Sequence, residues 1–253
     1  MRVIGRIARC ANSLLETFGL QVVRGDRASR EREKPWDDEF KQWIAEAERT
    51  GRDPNDLGDS AWGGSALPDT EKYILPHVRP DSVVLELGPG SGRVTRHVIG
   101  RCGEMILVDY SRFVCEWMTK YFDGKGKFKT LLINTPSLEG VATESVDLIF
   151  AEGVFHHIEL DDLCFFLEEF HRVLKPRGVM IFNFVNIMSS KGKDWFRQWR
   201  PPRGGRSIFR FYHPDVVRDL AEMVGFETLR LAAGSQSLLA TIEARRPASR
   251  ASS

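Results

Sequence analysis

At the end of a short apolar run the chain reads Glu86-Leu87-Gly88-Pro89-Gly90-Ser91-Gly92, an acid followed by glycines at every second position. Glycines in such a turn let the backbone approach a ligand closely. A dinucleotide fingerprint wants G-x-G-x-x-G, and position 93 is Arg, so the spacing argues against a nicotinamide enzyme. Asp109 stands 21 residues after Gly88, at the end of a second apolar run, where a carboxylate can accept hydrogen bonds from both hydroxyls of a ribose. His156 and His157 follow another apolar run, and His213 stands beside Tyr212 ahead of a late helix. A histidine near neutral pKa suits removal of a proton from an acceptor hydroxyl, so these three are the catalytic candidates. Orienting backbone is the competing role for the pair. Between Ser190 and Arg210 seven cations (Lys191, Lys193, Arg197, Arg200, Arg203, Arg206, Arg210) and the rings of Trp195, Phe196 and Trp199 face one acid, Asp194. They read either as a solvated basic loop or as a surface for an anionic or sugar-bearing substrate.

The elements that must position these residues follow from periodicity. Val83–Leu87, Met105–Val108, Lys129–Ile133, Val146–Ala151 and Val179–Val185 are continuous apolar runs of the kind expected of strands buried on both faces. Helical spacing joins Val114, Trp117, Met118 and Tyr121, then Leu163, Phe166, Leu167, Phe170, Val173 and Leu174 from a cap near Asp161 to a stop at Pro176 and Gly178. Pro214 opens a last helix that Gly225 closes. Phe226–Leu231 and Ser237–Ala244 are too close for a crossover and should pair antiparallel. Ahead of all this, residues 2–19 form an amphipathic helix with Arg2, Arg6 and Arg9. Residues 24–35 read as a charged connector, Trp36, Phe40, Trp43 and Ile44 as a short helix, and 51–68 as a loop.

The alternating glycines after an acid resemble the first motif of class I S-adenosylmethionine-dependent methyltransferases. Ser145–Ile158 is similar to that family's fourth-strand motif, and Arg172–Gly178 resembles its lead into strand five, with Arg177 where a second glycine is commoner. The resemblance covers about residues 80–185 and implies an α/β fold, a doubly wound, mainly parallel seven-stranded sheet with an antiparallel terminal strand. It implies S-adenosylmethionine as cofactor, S-adenosylhomocysteine as product, and contacts from Glu86, Gly88, Gly90, Gly92, Asp109, Tyr110 and Glu152. An ammonium and a sulfonium favour acids. Where many members carry an adenine-binding Asp this chain has Asn134-Thr135, which leaves Thr135 or backbone for that contact. Family members place acceptor-binding insertions after strand five, which makes Trp195, Arg197, Trp199, Arg200, Arg203 and Tyr212 the expected acceptor residues.

The expected organisation is a helical extension and loop over 1–68, a methyltransferase domain over 69–246 with an acceptor-binding insertion at 186–212, and a disordered tail over 247–253. A formal charge of +1 gives no global field for nucleic acid. The sequence also lacks an Asn/Asp-Pro-Pro-aromatic motif and a Pro-Cys nucleophile, so DNA is not expected as a partner. Four scattered cysteines suit a reducing compartment and clip no metal. A cytoplasmic enzyme is expected, with the N-terminal basic helix docked either on the domain or on the inner membrane surface. Its expected reaction is O-methylation of a sugar, glycan or other polar small molecule. The alternatives are N-methylation of a small metabolite and an inactive cofactor-binding partner protein.

Overall fold

The structure, a computed structural model, describes residues 27–61, 64–201 and 208–248. The helix expected at 2–19, Arg203, Arg206 and the last residues of the tail lie outside these. The described chain opens on α1 (Arg27–Thr50) and α2 (Pro54–Ala61), followed by three short helical turns, Leu67–Asp69, Thr70–Ile74 and Leu75–His77. Then come β1 (Val83–Leu87), α3 (Thr95–Val98), β2 (Glu104–Asp109), α4 (Arg112–Tyr121), β3 (Phe128–Leu132) and β4 (Val146–Ala151). After a 3-10 turn at Phe155–His157 follow α5 (Leu160–Val173), β5 (Leu174–Val185), α6 (Ser190–Trp199), α7 (Pro214–Val224), β6 (Glu227–Ala232) and β7 (Leu239–Arg245).

All seven strands form one sheet in the order β3-β2-β1-β4-β5-β7-β6. β1 to β5 are parallel, and β7 runs antiparallel between β5 and β6. Successive residues of a strand face opposite ways, and here both faces are covered, which is why the strands read as unbroken apolar runs. Leu85, Val108, Ile149 and Phe182 join one core with Phe155, Phe166 and Phe170; Val84, Leu107, Leu148 and Ile181 join the other with Val98, Met118 and Phe122. α5 buries Leu163, Phe166, Leu167, Phe170 and Val173, a stripe whose loss at Phe166 alone costs about 3–5 kcal/mol on truncation to Ala.

Four expectations change. Of the charged connector, residues 27–35 belong to α1, and 24–26 lie outside the described residues. The loop at 51–68 contains α2, whose Asp59 anchors it by ion pairs to Arg93 and Arg96. The basic stretch after β5, read as a loop or substrate surface, contains α6, capped by Ser189, whose hydroxyl accepts from Gly192 N–H at 2.9 Å. Pro176 and Gly178 do not separate helix from strand: β5 starts at Leu174 directly after α5, and a register shift against β4 absorbs the irregularity. No helix among the described residues is long and apolar enough to cross a membrane.

Candidate cofactor and acceptor site

Strand order reverses between β1 and β4, and a crevice opens at the carboxyl ends of parallel strands at such a point. Two abutting cavities of about 300 and 100 Å³ lie there, sharing Trp36, Phe40, Gly88, Gly90, Gly153 and His157. The glycine turn is their floor. Gly88, Gly90 and Gly92 have φ of 69°, 55° and 84°, in the left-handed region that other residues avoid. A Cβ at Gly90 would also stand 3.0 Å from the Phe40 ring, so the turn and α1 are fitted to each other.

Three acids surround the floor, Glu86 and Asp109 buried and Glu152 partly so. Glu86 at the end of β1 is 2% exposed, and its carboxylate accepts from Thr95 Oγ1 at 2.6 Å. Burial, reinforced by Glu152 and Asp109, pushes its pKa up to about 8. Asp109 accepts from Ser111 N–H at 2.7 Å, and burial pushes it up to about 7. Glu152 accepts from the Asn183 amide, whose oxygen in turn accepts from Gly153 N–H at 2.9 Å; burial raises this acid to about 7. A cationic ligand in the cavity offsets this desolvation, because opposite charge restores the ionised form.

The walls come from elements remote in sequence. Asp37 on α1 accepts a hydrogen bond from the Ser111 hydroxyl, which also caps α4 by accepting from Val114 N–H at 3.0 Å. This joint lays Trp36, Glu39, Phe40 and Trp43 along the larger cavity. Among the described residues, Arg93 is the one Lys or Arg on either lining; its Nε donates to Asp59 at 3.0 Å, and Ser91 beside it buries a hydroxyl oxygen that has no partner among those residues. Trp195 and Trp199 of α6, with Ile208 and Phe209, close the far side.

His157 lines both cavities, with Trp36 edge-on at 4.5 Å between ring centroids and Phe209 at 5.2 Å. Its Nδ1 lies 2.9 Å from the Ile208 carbonyl oxygen. A carbonyl only accepts, so Nδ1 carries the proton and Nε2 keeps its lone pair. Burial lowers the His157 pKa to about 4, so the ring is neutral at pH 7.

Several expected residues stand elsewhere. Thr135 lies on separate surface clefts with Ser137, after β3 and so two strands from β1, and it lines neither cavity at the glycine floor. His156 is fully buried behind His157 and lines neither cavity; burial holds its pKa well below the ordinary value. His213 caps α7, its Nδ1 accepting from Asp215 N–H. Tyr212 donates its hydroxyl to the Ile158 carbonyl and so tethers backbone. Arg197 is exposed and paired with Asp194 at 2.7 Å, and neither it nor Arg200 is on the lining. Glu86, Gly88, Gly90, Asp109, Tyr110, Glu152, His157, Trp195 and Trp199 do meet at the cavities, while Gly92 packs behind the turn against Phe122. Trp36, Phe40, Arg93 and Asn183 were not foreseen; the aromatics of α1 were visible as a helix face, but nothing in their spacing tied them to this crevice.

Residues 85–182 match the family model described as a methyltransferase domain. An uncharacterised methyltransferase of Oceanobacillus iheyensis is 29% identical over 149 residues, covering 56% of this chain and 68% of that protein. A ubiquinone/menaquinone biosynthesis C-methyltransferase of Legionella pneumophila is 28% identical over 181 residues, covering 60% and 70%. Among solved structures, an S-adenosylmethionine-dependent methyltransferase from Methanosarcina mazei aligns with a TM-score of 0.57 at 16% identity, over 70% of this chain and 97% of that one. One from Aquifex aeolicus aligns with a TM-score of 0.53 at 20% identity, over 70% and 89%.

Proposed function

Because the chain is a class I S-adenosylmethionine-dependent methyltransferase, we propose that its acceptor is a planar phenolic or enolic ring, methylated at that oxygen or at the ring carbon the oxygen activates. The carrying observation is the wall of Trp36, Trp195, Trp199 and Phe209 around a single histidine. Flat faces of this kind stack on a ring, and each pair contributes about 0.5–1.5 kcal/mol beyond area burial.

The residues present fit the cofactor. Glu86 and Glu152 would face its cationic groups, Asp109 its ribose hydroxyls, and Arg93 with the unpartnered Ser91 hydroxyl its carboxylate. S-adenosylmethionine supplies a methyl carbon made electrophilic by the adjacent sulfonium. What remains for the chain is to hold the acceptor atom about 3 Å from that carbon in line and to exclude water.

Magnitudes choose between acceptors. A base of pKa about 4 takes a proton from a phenol of pKa about 10 against about 6 units, or about 8 kcal/mol. From an aliphatic hydroxyl near the 16 or so of water the gap is about 12 units, or about 16 kcal/mol. A phenolic or enolic hydroxyl therefore asks less of His157 than a sugar hydroxyl does, and Arg197, the expected anion contact of a charged glycan, stands off the cavity lining. The Legionella relative's name, a C-methyltransferase of ubiquinone/menaquinone biosynthesis, supports the ring-carbon form of the reading.

The test incubates the protein with methyl-labelled S-adenosylmethionine and two acceptor sets, hydroquinones, hydroxynaphthoates and flavonols in one, free and phosphorylated sugars in the other. Mass spectrometry should find label in the planar set. Label confined to sugars would overturn the reading and restore the glycan.

A further inference from the structure

We propose that α6 and the turn before it dock on a membrane surface rich in anionic lipid, and that the acceptor enters the cavity from that membrane. The inference rests on the planar-acceptor reading only for what is delivered. Over 190–200 four cations face one acid, giving a net charge of +3 (four minus one). Lys193 and Arg197 stand at i and i+4 on one face of α6, and Arg200 caps the end of the helix beyond them. Arg197 is partly neutralised by Asp194; Lys193 and Arg200 are exposed.

Beside these cations, among the described residues, stand large apolar side chains with much of their surface exposed. Met188 is 51% exposed, Phe196 44%, Trp199 43% and Ile208 62%. Scattered apolar side chains on a surface need no explanation, but bulky ones gathered beside cations do. Aromatic rings settle at the headgroup level of a bilayer, while Lys and Arg reach lipid phosphates, a pairing of chemistries that a water-facing helix does not require. Phe196 is fixed edge-on to Phe211, with ring centroids 5.2 Å apart, so the patch is held in place by the fold.

The patch adjoins the site. Trp199 and Ile208 are exposed and also line the larger cavity, whose inner wall carries His157. Docked this way, the cavity mouth faces the bilayer, and a planar apolar ring can pass from lipid to the aromatic wall without crossing water.

The experiment is cosedimentation of the full chain with phosphatidylcholine vesicles, with and without phosphatidylglycerol, in the absence of cofactor and acceptor. Failure here thus leaves the methyl-transfer reading standing, and the reverse. The wild type should bind only the anionic vesicles and release with salt, since the charge contribution is screened. Each basic group near such a surface is worth about fivefold in partition. Lys193→Glu with Arg200→Glu should therefore lower binding by at least about 25-fold, and Phe196→Ser by up to about tenfold. Lys120→Glu with Lys127→Glu, at the opposite end of the parallel strands, should bind as wild type. Loss of binding must come without loss of melting temperature. The proposal is overturned if the wild type stays unbound, if the α6 variants bind undiminished, or if light scattering shows the patch buried in a dimer that Phe196→Ser dissociates.

Discussion

Nδ1 of His157 and the carbonyl oxygen of Ile208 lie 2.9 Å apart, and this contact sets which nitrogen of the ring can take a proton. The segment bearing Ile208 is itself pinned, since Arg210 N–H donates to the His156 carbonyl at 2.6 Å and Tyr212 N–H to Val185 at 3.0 Å. His157→Ala should lower turnover by about 10²–10⁴ and leave cofactor affinity near wild type. Because the ring titrates at about 4, its share of the pH profile should be flat above pH 6. A loss below tenfold would remove the base role, whereas an ascending limb centred near 6.5 would show that burial does not hold the ring near 4.

The three raised acids predict the stability of the free protein. Glu86 titrates at about 8, and Asp109 and Glu152 at about 7; unfolded, each titrates near 4. The folded state therefore holds more protons between these values, so the stability these three groups contribute is fully present below about pH 4 and is lost as pH rises to 7 to 8. His156 and His157, with lowered pKa values, act in the opposite sense but only below about 6.5. From pH 6.5 to 8.5 the melting temperature of the cofactor-free protein should drop, and Glu86→Gln should lessen the drop. A melting temperature rising across that window would contradict the buried-acid arrangement.

Arg93 is predicted to bind the carboxylate of the cofactor. Arg93→Met should weaken S-adenosylmethionine by about 1.5–3 kcal/mol, the worth of a charge-assisted hydrogen bond. It should weaken decarboxylated S-adenosylmethionine far less. Calorimetry with both ligands checks this; an equal loss for the two would mean that Arg93 acts only through its ion pair with Asp59.

What was legible in the sequence was what burial and backbone geometry dictate locally. Val83–Leu87 and Val146–Ala151 read as strands because both sheet faces are covered, and Gly88 and Gly90 read as a ligand turn because positive φ demands glycine there. α6 was not legible, because Gly192 and a dense run of charges mask its periodicity and Ser189 supplies its start from outside. The same holds for α1, whose charged first turns resemble a connector. The site lost most where contacts are tertiary. Phe40 meets Gly90, and Asn183 orients Glu152 from the next strand. Thr135 was carried to the site by resemblance alone, and the chain after β3 leads it to another cleft.

The most direct measurement is calorimetry of cofactor binding to the wild type and to Asp109→Ala. The wild type should bind S-adenosylmethionine and S-adenosylhomocysteine and show no heat with NAD. Asp109→Ala, still folded, should bind S-adenosylmethionine about 1.5–3 kcal/mol more weakly, because the charged hydrogen bonds to the ribose are lost. Binding of NAD by the wild type, or an affinity for S-adenosylmethionine that the substitution leaves unchanged, would contradict the cofactor site described at the ends of β1 and β2.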